Sequence, residues 1–238
     1  MEQDQADAPA VALVSQPTPL AALKAEYAEN PSFLSKVEGL EDHFQAIRRT
    51  RPDGNCFYRA YLFGLFEQLA GNKERHAAVT QRLRGALDVC TAAGYEKVAI
   101  EDFYEEFMAS IDRMSIEGSS VSTAEAVMEE CNDYLICWAR VLTSAYLKQR
   151  AEDFSGFLTS HSSIAQFCAQ EVDPMNTEAD HLQIMALSTF LAVPVTVVYL
   201  DRSDGSAAEH PFAHDSTSPF SPVHLLYRPG HYDLIYTR

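Results

Sequence analysis

One cysteine follows a run of turn-forming residues and opens a segment with helical spacing. Asp53, Gly54 and Asn55, directly before Cys56, are residue types that tolerate the backbone of a tight turn. Apolar side chains then recur every four positions, at Phe57, Tyr61, Leu65 and Leu69. This spacing predicts a helix. A thiol at a helix N-terminus is favoured as the nucleophilic thiolate, and the free N–H groups of the turn can receive an oxyanion. Cys56 is therefore a candidate nucleophile beside a candidate oxyanion loop.

A base for that nucleophile is available near the C-terminus. The segment 230–236 alternates as a strand does, so His231 and Asp233 share one face. An Asp beside a His can orient the imidazole ring and stabilise its charged form, as in Cys-His-Asp triads. A second interpretation stays open, because a single Cys is commonly a small buried apolar residue and a single His on a strand is commonly structural.

The longest motifs resemble one protein family. RPDGNCFYRA (51–60) and YRPGHYDLIY (227–236) are similar to the otubain branch of the ovarian-tumour-domain cysteine proteases, which cleave ubiquitin from proteins. Four more motifs extend the resemblance in family order: EDFYEEFM, LTSAYL, FCAQEVDPM and EADHLQIMAL. Together they cover the chain from about residue 24 to the C-terminus.

This resemblance implies a role for each residue of the candidate site. Cys56 would be the nucleophile, His231 the general base and Asp233 its orienting partner, with the 53–55 turn shaping the oxyanion loop. The implied reaction is hydrolysis of isopeptide bonds after the C-terminal glycine of ubiquitin, with no cofactor and no metal. An Asn at position 233 could still accept the ring N–H, so we expect Asp233→Asn to retain part of the activity.

A second charged segment begins at Thr177, at the predicted start of a buried helix. The residues 177–180 have the form of a capping box, and acids there can simply complement the helix dipole. The resemblance instead implies that this segment lies beside the active-site cleft, where it can contact the incoming ubiquitin tail or the catalytic His. We therefore expect substrate-binding residues at Glu178, Asp180, His181, Gly230 and Tyr232.

Composition narrows the class of protein. Of 238 residues, 18 are Lys or Arg and 34 are Asp or Glu, a formal net charge of −16. That balance argues against nucleic acid or an anionic membrane as partner. The negative charge suits a partner with a basic face, or it simply reflects a surface of this protein that is solvated by water. The five cysteines include no C-x-x-C pair, so neither a disulfide framework nor a zinc site is predicted. The sequence begins without a basic signal-peptide region and contains no apolar run of membrane-spanning length, and we expect a cytoplasmic location that extends to the nucleus.

The pattern along the chain predicts an α+β fold of the papain-like, ovarian-tumour type. Residues 1–19 are acidic and interrupted by prolines, which predicts a disordered leader, followed by one catalytic domain over 20–238. Helical patterns dominate from about residue 73 to 170, including one helix over 72–93. The strand patterns lie mainly in the C-terminal part, which predicts a small central sheet flanked by a large helical subdomain.

Two other functions remain open from the sequence. Otubain-type proteins can also block a ubiquitin-conjugating enzyme without catalysis, using a helix ahead of the catalytic domain to hold a ubiquitin. The proline-rich leader weakens that alternative, since interior prolines break helices. The other alternative is hydrolysis of a ubiquitin-like modifier or another amide. For a ubiquitin hydrolase, the resemblance implies that the chain type marking proteins for the proteasome is among the best substrates.

Overall fold

The computed structural model describes residues 12–213 and 217–238, which form one six-stranded sheet and ten α-helices. The strands are β1 Thr18–Pro19, β2 Phe44–Arg48, β3 Val195–Tyr199, β4 Ala208–Phe212, β5 Val223–Arg228 and β6 His231–Thr237. The helices are α1 Leu23–Glu26, α2 Pro31–Leu40, α3 Cys56–Leu69, α4 Lys73–Leu83, α5 Ala86–Ala92, α6 Lys97–Ser115, α7 Val121–Gln149, α8 Ala151–Phe154, α9 Ile164–Phe167 and α10 His181–Leu191. Short 3₁₀ or π-helical turns cover Leu20–Ala22, Ser155–Phe157 and Cys168–Val172. None of the helices within the described ranges is both long and apolar enough to cross a membrane.

The sheet has the strand order β1-β2-β6-β5-β3-β4. Only the β3–β5 pair is parallel, and the remaining neighbours are antiparallel. A Pro229-Gly230 turn joins β5 to β6 and pairs Arg228 with His231. Gly230 has a φ of 78°, a left-handed conformation that glycine adopts without strain. The α+β prediction and the small central sheet are confirmed.

Helices cover both faces of the sheet. On one face, α3 and the long helices α6 and α7 share a large apolar core with inward residues such as Leu225 and Leu234. On the other face, α1 and α2 close a smaller core that includes Ile47, Leu226 and Ile235. Alternate residues of β5 and β6 thus enter opposite cores, as the period of a strand requires.

The catalytic turn is held in place by α3, which is apolar on nearly every side and almost entirely buried. At Gly64, an added Cβ would lie 2.7 Å from Val223 Cγ1, so the helix axis approaches the sheet more closely than a larger residue would allow. This close approach places the N-terminal end of α3, which carries Cys56, against the end of the sheet at which the interior strand β6 begins.

Two boundaries differ from the prediction. Residues 1–11 of the predicted leader lie outside the described residues, but residues 12–19 belong to the fold, because Val14 bridges Thr50 and the strand β1 pairs with β2. The predicted helix over 72–93 is two helices, since Gly85 takes a φ of 80° and separates α4 from α5.

Candidate active site

Cys56 is the first residue of α3 and is 2% exposed. The turn before it depends on Gly54, which has a φ of 78° and lies directly against the backbone of Asn176. A Cβ at Gly54 would approach the Asn176 carbonyl oxygen to 2.1 Å, so no other residue fits there without moving the turn. Since the first N–H groups of a helix have no partner within the helix, the Cys56 N–H is available to an incoming carbonyl oxygen.

His231 opens β6, and its ring connects Cys56 to Asp233. The Nε2 atom lies 2.8 Å from Asp233 Oδ1. The Nδ1 atom is buried and makes no regular hydrogen bond to any described residue, which leaves it for Cys56. Burial opposes protonation of the ring, but hydrogen bonds and charge from Asp233 and Cys56 outweigh it and raise the pKa of His231 to about 9. The ring therefore carries a proton at neutral pH, and an imidazolium beside a cysteine stabilises its thiolate.

Asp233 is fully buried, and both carboxylate oxygens are used as acceptors. Besides the His231 ring, Oδ1 accepts the Thr50 N–H at 2.9 Å, while Oδ2 accepts from Arg49 and Arg228. Burial alone would raise the pKa of Asp233, but the hydrogen bond from His231 and the charge of Arg228 hold it below its usual value. On the far side, Glu26 pairs with both guanidinium groups.

Two buried arginines hold the oxyanion loop from inside the helical core. Arg59 on α3 pairs with both oxygens of Asp53, at 2.9 and 2.7 Å. The same carboxylate accepts the Asn55 N–H at 3.1 Å, so that N–H is not available for an oxyanion. Arg140 on α7 bonds the Gly54 carbonyl and the Asn55 side chain. Asp53 and Asn55 thus shape the loop, and the Cys56 N–H at the start of α3 is the candidate donor to an oxyanion.

The other four thiols lack such surroundings. Burial raises the pKa of Cys90 to about 12, and burial together with Glu106 raises that of Cys131 to about 11. Burial likewise raises the pKa of Cys137 and of Cys168. These four are held as neutral thiols, and His231 interacts with Cys56 alone among the cysteines described.

Of the predicted substrate-binding residues, Glu178 and Gly230 lie beside the triad, whereas Asp180, His181 and Tyr232 make structural contacts. Glu178 is exposed and lies against the Pro229-Gly230 turn, where an added Cβ at Gly230 would be 3.2 Å from its Oε1 atom. Asp180 caps α10, with Gln183 completing the capping box, so the box lies three residues later than predicted. His181 stacks edge-on against Phe212, with 4.6 Å between ring centroids.

Tyr232 belongs to the core and not to the cleft surface. It is 3% exposed and packs against Phe57 and Tyr227, with ring centroids 5.8 and 5.0 Å apart. Its side chain is not accessible to a substrate, because it points away from the face that carries His231. The structure therefore brings Glu178 and Gly230 together beside the triad and leaves Tyr232 out.

The arginines that hold this site were not among the residues predicted from the sequence. Arg59 and Arg228 lie inside the two family motifs, three residues from Cys56 and from His231 respectively, and that proximity was the available signal. For Arg49 and Arg140 no local pattern points to the site, because their partners are 184 and 85 positions away.

Comparisons with known proteins agree with this geometry. The model of the family described as Peptidase C65 Otubain matches residues 6–237. Human "Ubiquitin thioesterase OTUB1" is 36% identical over 229 residues, which cover 94% of this chain and 83% of that protein. Human "Ubiquitin thioesterase OTUB2" is 33% identical over 225 residues, covering 94% and 95% of the two chains. The otubain-like ubiquitin thioesterase of Caenorhabditis elegans is 34% identical over 247 residues, covering 100% and 85%.

Solved structures show the same similarity. A ceOTUB1 complex with ubiquitin aldehyde and UBC13~Ub superposes with a TM-score of 0.88 at 31% identity, covering 97% of this chain and 95% of that one. An h/ceOTUB1 complex with ubiquitin aldehyde and UBCH5B~Ub gives a TM-score of 0.87 at 31% identity, covering 96% and 91%. Because the family model spans nearly the whole chain and relatives are more than 30% identical along it, the resemblance is confirmed and the chain belongs to the Peptidase C65 otubain family.

Proposed function

We propose that this protein is a thiol-dependent deubiquitinase that hydrolyses the isopeptide bond after the C-terminal glycine of ubiquitin. The observation that carries the proposal is the line of Cys56, His231 and buried Asp233, with Cys56 at a helix N-terminus. The names of the otubain relatives, which are ubiquitin thioesterases, support ubiquitin as the substrate.

Acylation uses the groups around Cys56. The Cys56 thiolate attacks the scissile carbonyl carbon, and the negative charge that develops on the carbonyl oxygen is stabilised by the N–H of Cys56. His231 then donates its proton to the departing lysine amine, and a thioester between Cys56 and ubiquitin remains.

Deacylation uses the same groups in the reverse order. His231, now neutral, takes a proton from a water molecule, and the resulting hydroxide attacks the thioester carbonyl. The C–S bond breaks, the sulfur leaves as a thiolate beside the imidazolium, and ubiquitin departs as the free acid, which loses its remaining proton to water to become a carboxylate. Asp233 keeps the ring oriented and stabilises its charge in both steps.

Two clefts are suited to the two sides of the substrate, one that reaches the site through Glu178 beside the Gly230 turn and one that His231 and Asp233 themselves line. One, of about 350 Å³, is lined by Glu178, Asp180 and His181 together with the exposed Phe157. We assign it to the ubiquitin tail. The second, of about 690 Å³, includes Arg228 and His231, and we assign it to the polypeptide that carries the leaving lysine.

The direct test is turnover of ubiquitin with a fluorogenic amide at its C-terminus, compared with the same amide on a panel of ubiquitin-like modifiers. We expect the ubiquitin substrate to be cleaved with the highest kcat/KM. If one of the modifiers were cleaved faster, that modifier and not ubiquitin would be the preferred substrate. If neither ubiquitin nor any modifier were cleaved, the proposed hydrolase activity would be ruled out.

For chain type, we propose that the linkage marking proteins for the proteasome is among the best substrates, on the strength of the motif resemblance. A panel of diubiquitins covering every lysine linkage tests it, and slowest cleavage of the degradation-signal linkage would contradict it. We also propose a cytoplasmic location that extends to the nucleus, which imaging of the tagged full chain would test.

A second candidate function is regulation of ubiquitin-conjugating enzymes by binding. The solved otubain neighbours that hold UBC13~Ub and UBCH5B~Ub favour it. We propose this as an additional role, because the triad described above needs no such partner. Calorimetry of the Cys56→Ala protein with ubiquitin-charged and uncharged conjugating enzymes tests it, and equal, weak binding of both would exclude it.

A further inference from the structure

Arg140 is a buried cation that contacts the site without touching the triad. It lies in the middle of α7 and is 1% exposed. Its guanidinium forms two hydrogen bonds to Asn55 Oδ1, at 3.2 and 2.7 Å, and one to the Gly54 carbonyl at 3.1 Å. Two more go to the carbonyls of Val172 and Thr177, at 3.0 and 2.7 Å. One guanidinium therefore binds two segments that are far apart in the sequence.

Those two segments also fit directly against each other. The Asn176 N–H donates to Asn55 Oδ1 at 3.0 Å, and Asn55 Nδ2 donates to Asn176 Oδ1 at 2.8 Å. Asn176 has a φ of 62°, an uncommon conformation for a residue other than glycine, and its carbonyl fills the space above Gly54. Arg140 bonds both sides of this junction, so its contacts fix the position of the turn that precedes the Cys56 N–H.

The charge of Arg140 is not used for a structural ion pair. All of its hydrogen-bond acceptors among the described residues are neutral amide or carbonyl oxygens, and its flat face lies over the Tyr58 ring, 4.5 Å from the centroid. Burial lowers the pKa of Arg140, while Tyr58, Cys137, Asp53 and Cys56 act in the opposite direction. A buried cation without a carboxylate partner is costly, and a neutral side chain could have joined the same carbonyls.

We propose that Arg140 is a positioning residue for the oxyanion loop. Its planar fork holds Gly54 and Asn55 against the 172–177 segment, so that the Cys56 N–H is directed at the oxyanion and the loop that leads to Glu178 stays in register with it. The inference rests on the proposed hydrolase function and adds a residue that determines how well the transition state is bound. A planar fork makes these several bonds at once, which a lysine ammonium in the same place cannot do.

The test compares Arg140→Lys with a matched control, Arg75→Lys. Arg75 also bonds backbone carbonyls, those of Pro219 and Gln68, and lies over an aromatic ring. It contacts the far end of α3, about 18 Å along the helix from Cys56. For the fluorogenic ubiquitin amide, we expect Arg140→Lys to lower kcat by roughly 10- to 100-fold with KM within about threefold. Arg75→Lys should leave both constants near the wild-type values.

Two further measurements separate positioning from a general structural defect. Ubiquitin aldehyde adds to Cys56 by forming a C–S bond while the thiol proton moves to the former carbonyl oxygen, so its adduct places an oxygen in the oxyanion site. Its inhibition constant should rise by about the same factor as kcat falls. Alkylation of Cys56 by iodoacetamide forms no oxyanion, and its rate should change by less than about threefold.

A second variant keeps the test valid if Arg140→Lys fails to fold. Asn55→Ala removes the side-chain acceptor of Arg140 and should show the same pattern of low kcat, weak aldehyde binding and normal alkylation. Equal kcat in wild type and in a folded Arg140→Lys variant would overturn the proposal. A loss in KM alone, or an alkylation rate that falls in step with kcat, would overturn it as well. Failure of the hydrolase function itself would be seen separately, as absent turnover in the wild type.

Discussion

The two halves of the site are held by arginines in contrasting environments. Around the nucleophile, Arg59 and Arg140 are 0% and 1% exposed and bond loop oxygens inside the helical core. Around the base, Asp233 is buried, but the side chains that hold it, Arg49 and Arg228, are 27% and 21% exposed. They lead outward to Glu26, which is 44% exposed.

The two halves should therefore respond differently to pH and salt. The buried guanidinium groups of Arg59 and Arg140 are out of reach of water and salt, and among their loop partners the Asp53 carboxylate is 27% exposed. Ion pairs near the surface weaken as ionic strength rises. The oxyanion loop should therefore be rigid and insensitive to salt, while the orientation and charge of His231 should vary with pH and salt.

Removing the nucleophile is the strongest test of the contrast. Cys56→Ala should abolish turnover and labelling by ubiquitin with a C-terminal thiol-reactive group, read by intact mass, while the melting temperature stays within a few degrees. Cys137→Ala is the matched control, since that thiol is half-buried and its pKa is raised by burial. Labelling that persisted in Cys56→Ala would mean that the site has been placed on the wrong thiol.

The next largest effect is expected at Asp233. Both of its oxygens accept two donors, so Asp233→Asn would turn an amide N–H toward other donors. From the sequence alone we expected Asp233→Asn to retain part of the activity. With these contacts known, we instead expect kcat/KM to fall by about 10²- to 10⁴-fold.

The same variant should change the pH profile of kcat/KM. In the wild type, activity should fall as pH rises through about 9, because His231 loses the proton it must donate. Without the carboxylate charge, that alkaline limb should move down by about one pH unit or more. Asp112→Asn is the control, since Asp112 on α6 pairs with a different histidine, His76 on α4. An unchanged limb would mean that Asp233 orients the ring without stabilising its charge.

A smaller effect is expected at the outer end of the same network. Glu26→Gln removes the charge that holds Arg49 and Arg228 in place, a contribution of about 0.2–1 kcal/mol for such exposed pairs. We expect kcat/KM at low salt to fall by about two- to fivefold. The difference from wild type should vanish in high salt, which screens the pairs in both proteins. Glu125→Gln, which breaks a pair with Arg48 instead, should show no such salt dependence.

The smallest effect on turnover is expected from deleting residues 1–11 of the N-terminal leader, whereas a deletion that extends to residue 19 should have a larger one. Residues 13–15 brace the segment that joins the two halves: Leu13 accepts the Arg51 N–H, and Ser15 bonds Arg49 through its N–H and its hydroxyl. Deleting residues 1–19 should therefore lower the melting temperature and the turnover of the fluorogenic substrate.

Deleting residues 1–11 should leave that turnover unchanged and raise the KM for diubiquitin by less than about tenfold, or about 1.4 kcal/mol. A larger rise would show that the leader holds a second ubiquitin, which would favour the role in regulating conjugating enzymes. Equal behaviour of the two deletions would show that the bracing by residues 13–15 does not matter for activity.

Much of the site could be predicted because its reactive residues lie in short local patterns. The turn before Cys56 and the alternation around His231 are each readable within about ten residues, and each pattern also specifies the element that carries the side chain. The strand β6 and the helix α3 were predicted for the same reason. The single helix over 72–93 was wrong because the pattern is helical on both sides of Gly85, whereas the backbone is extended at Arg84 and left-handed at Gly85, between the two helices.

From the sequence we predicted the family, which the comparisons confirm, and the thiol and partner residues of the candidate site, since side-chain type and spacing specify that chemistry locally. Only the tertiary structure decided which charges hold these residues in position. Arg49 and Arg140 reach partners 184 and 85 positions away, and such contacts depend on how helices and strands pack, which leaves no periodic trace in the chain. The burial of Tyr232 was likewise decided by packing, because alternation along a strand tells the two faces apart but does not say which one meets the core.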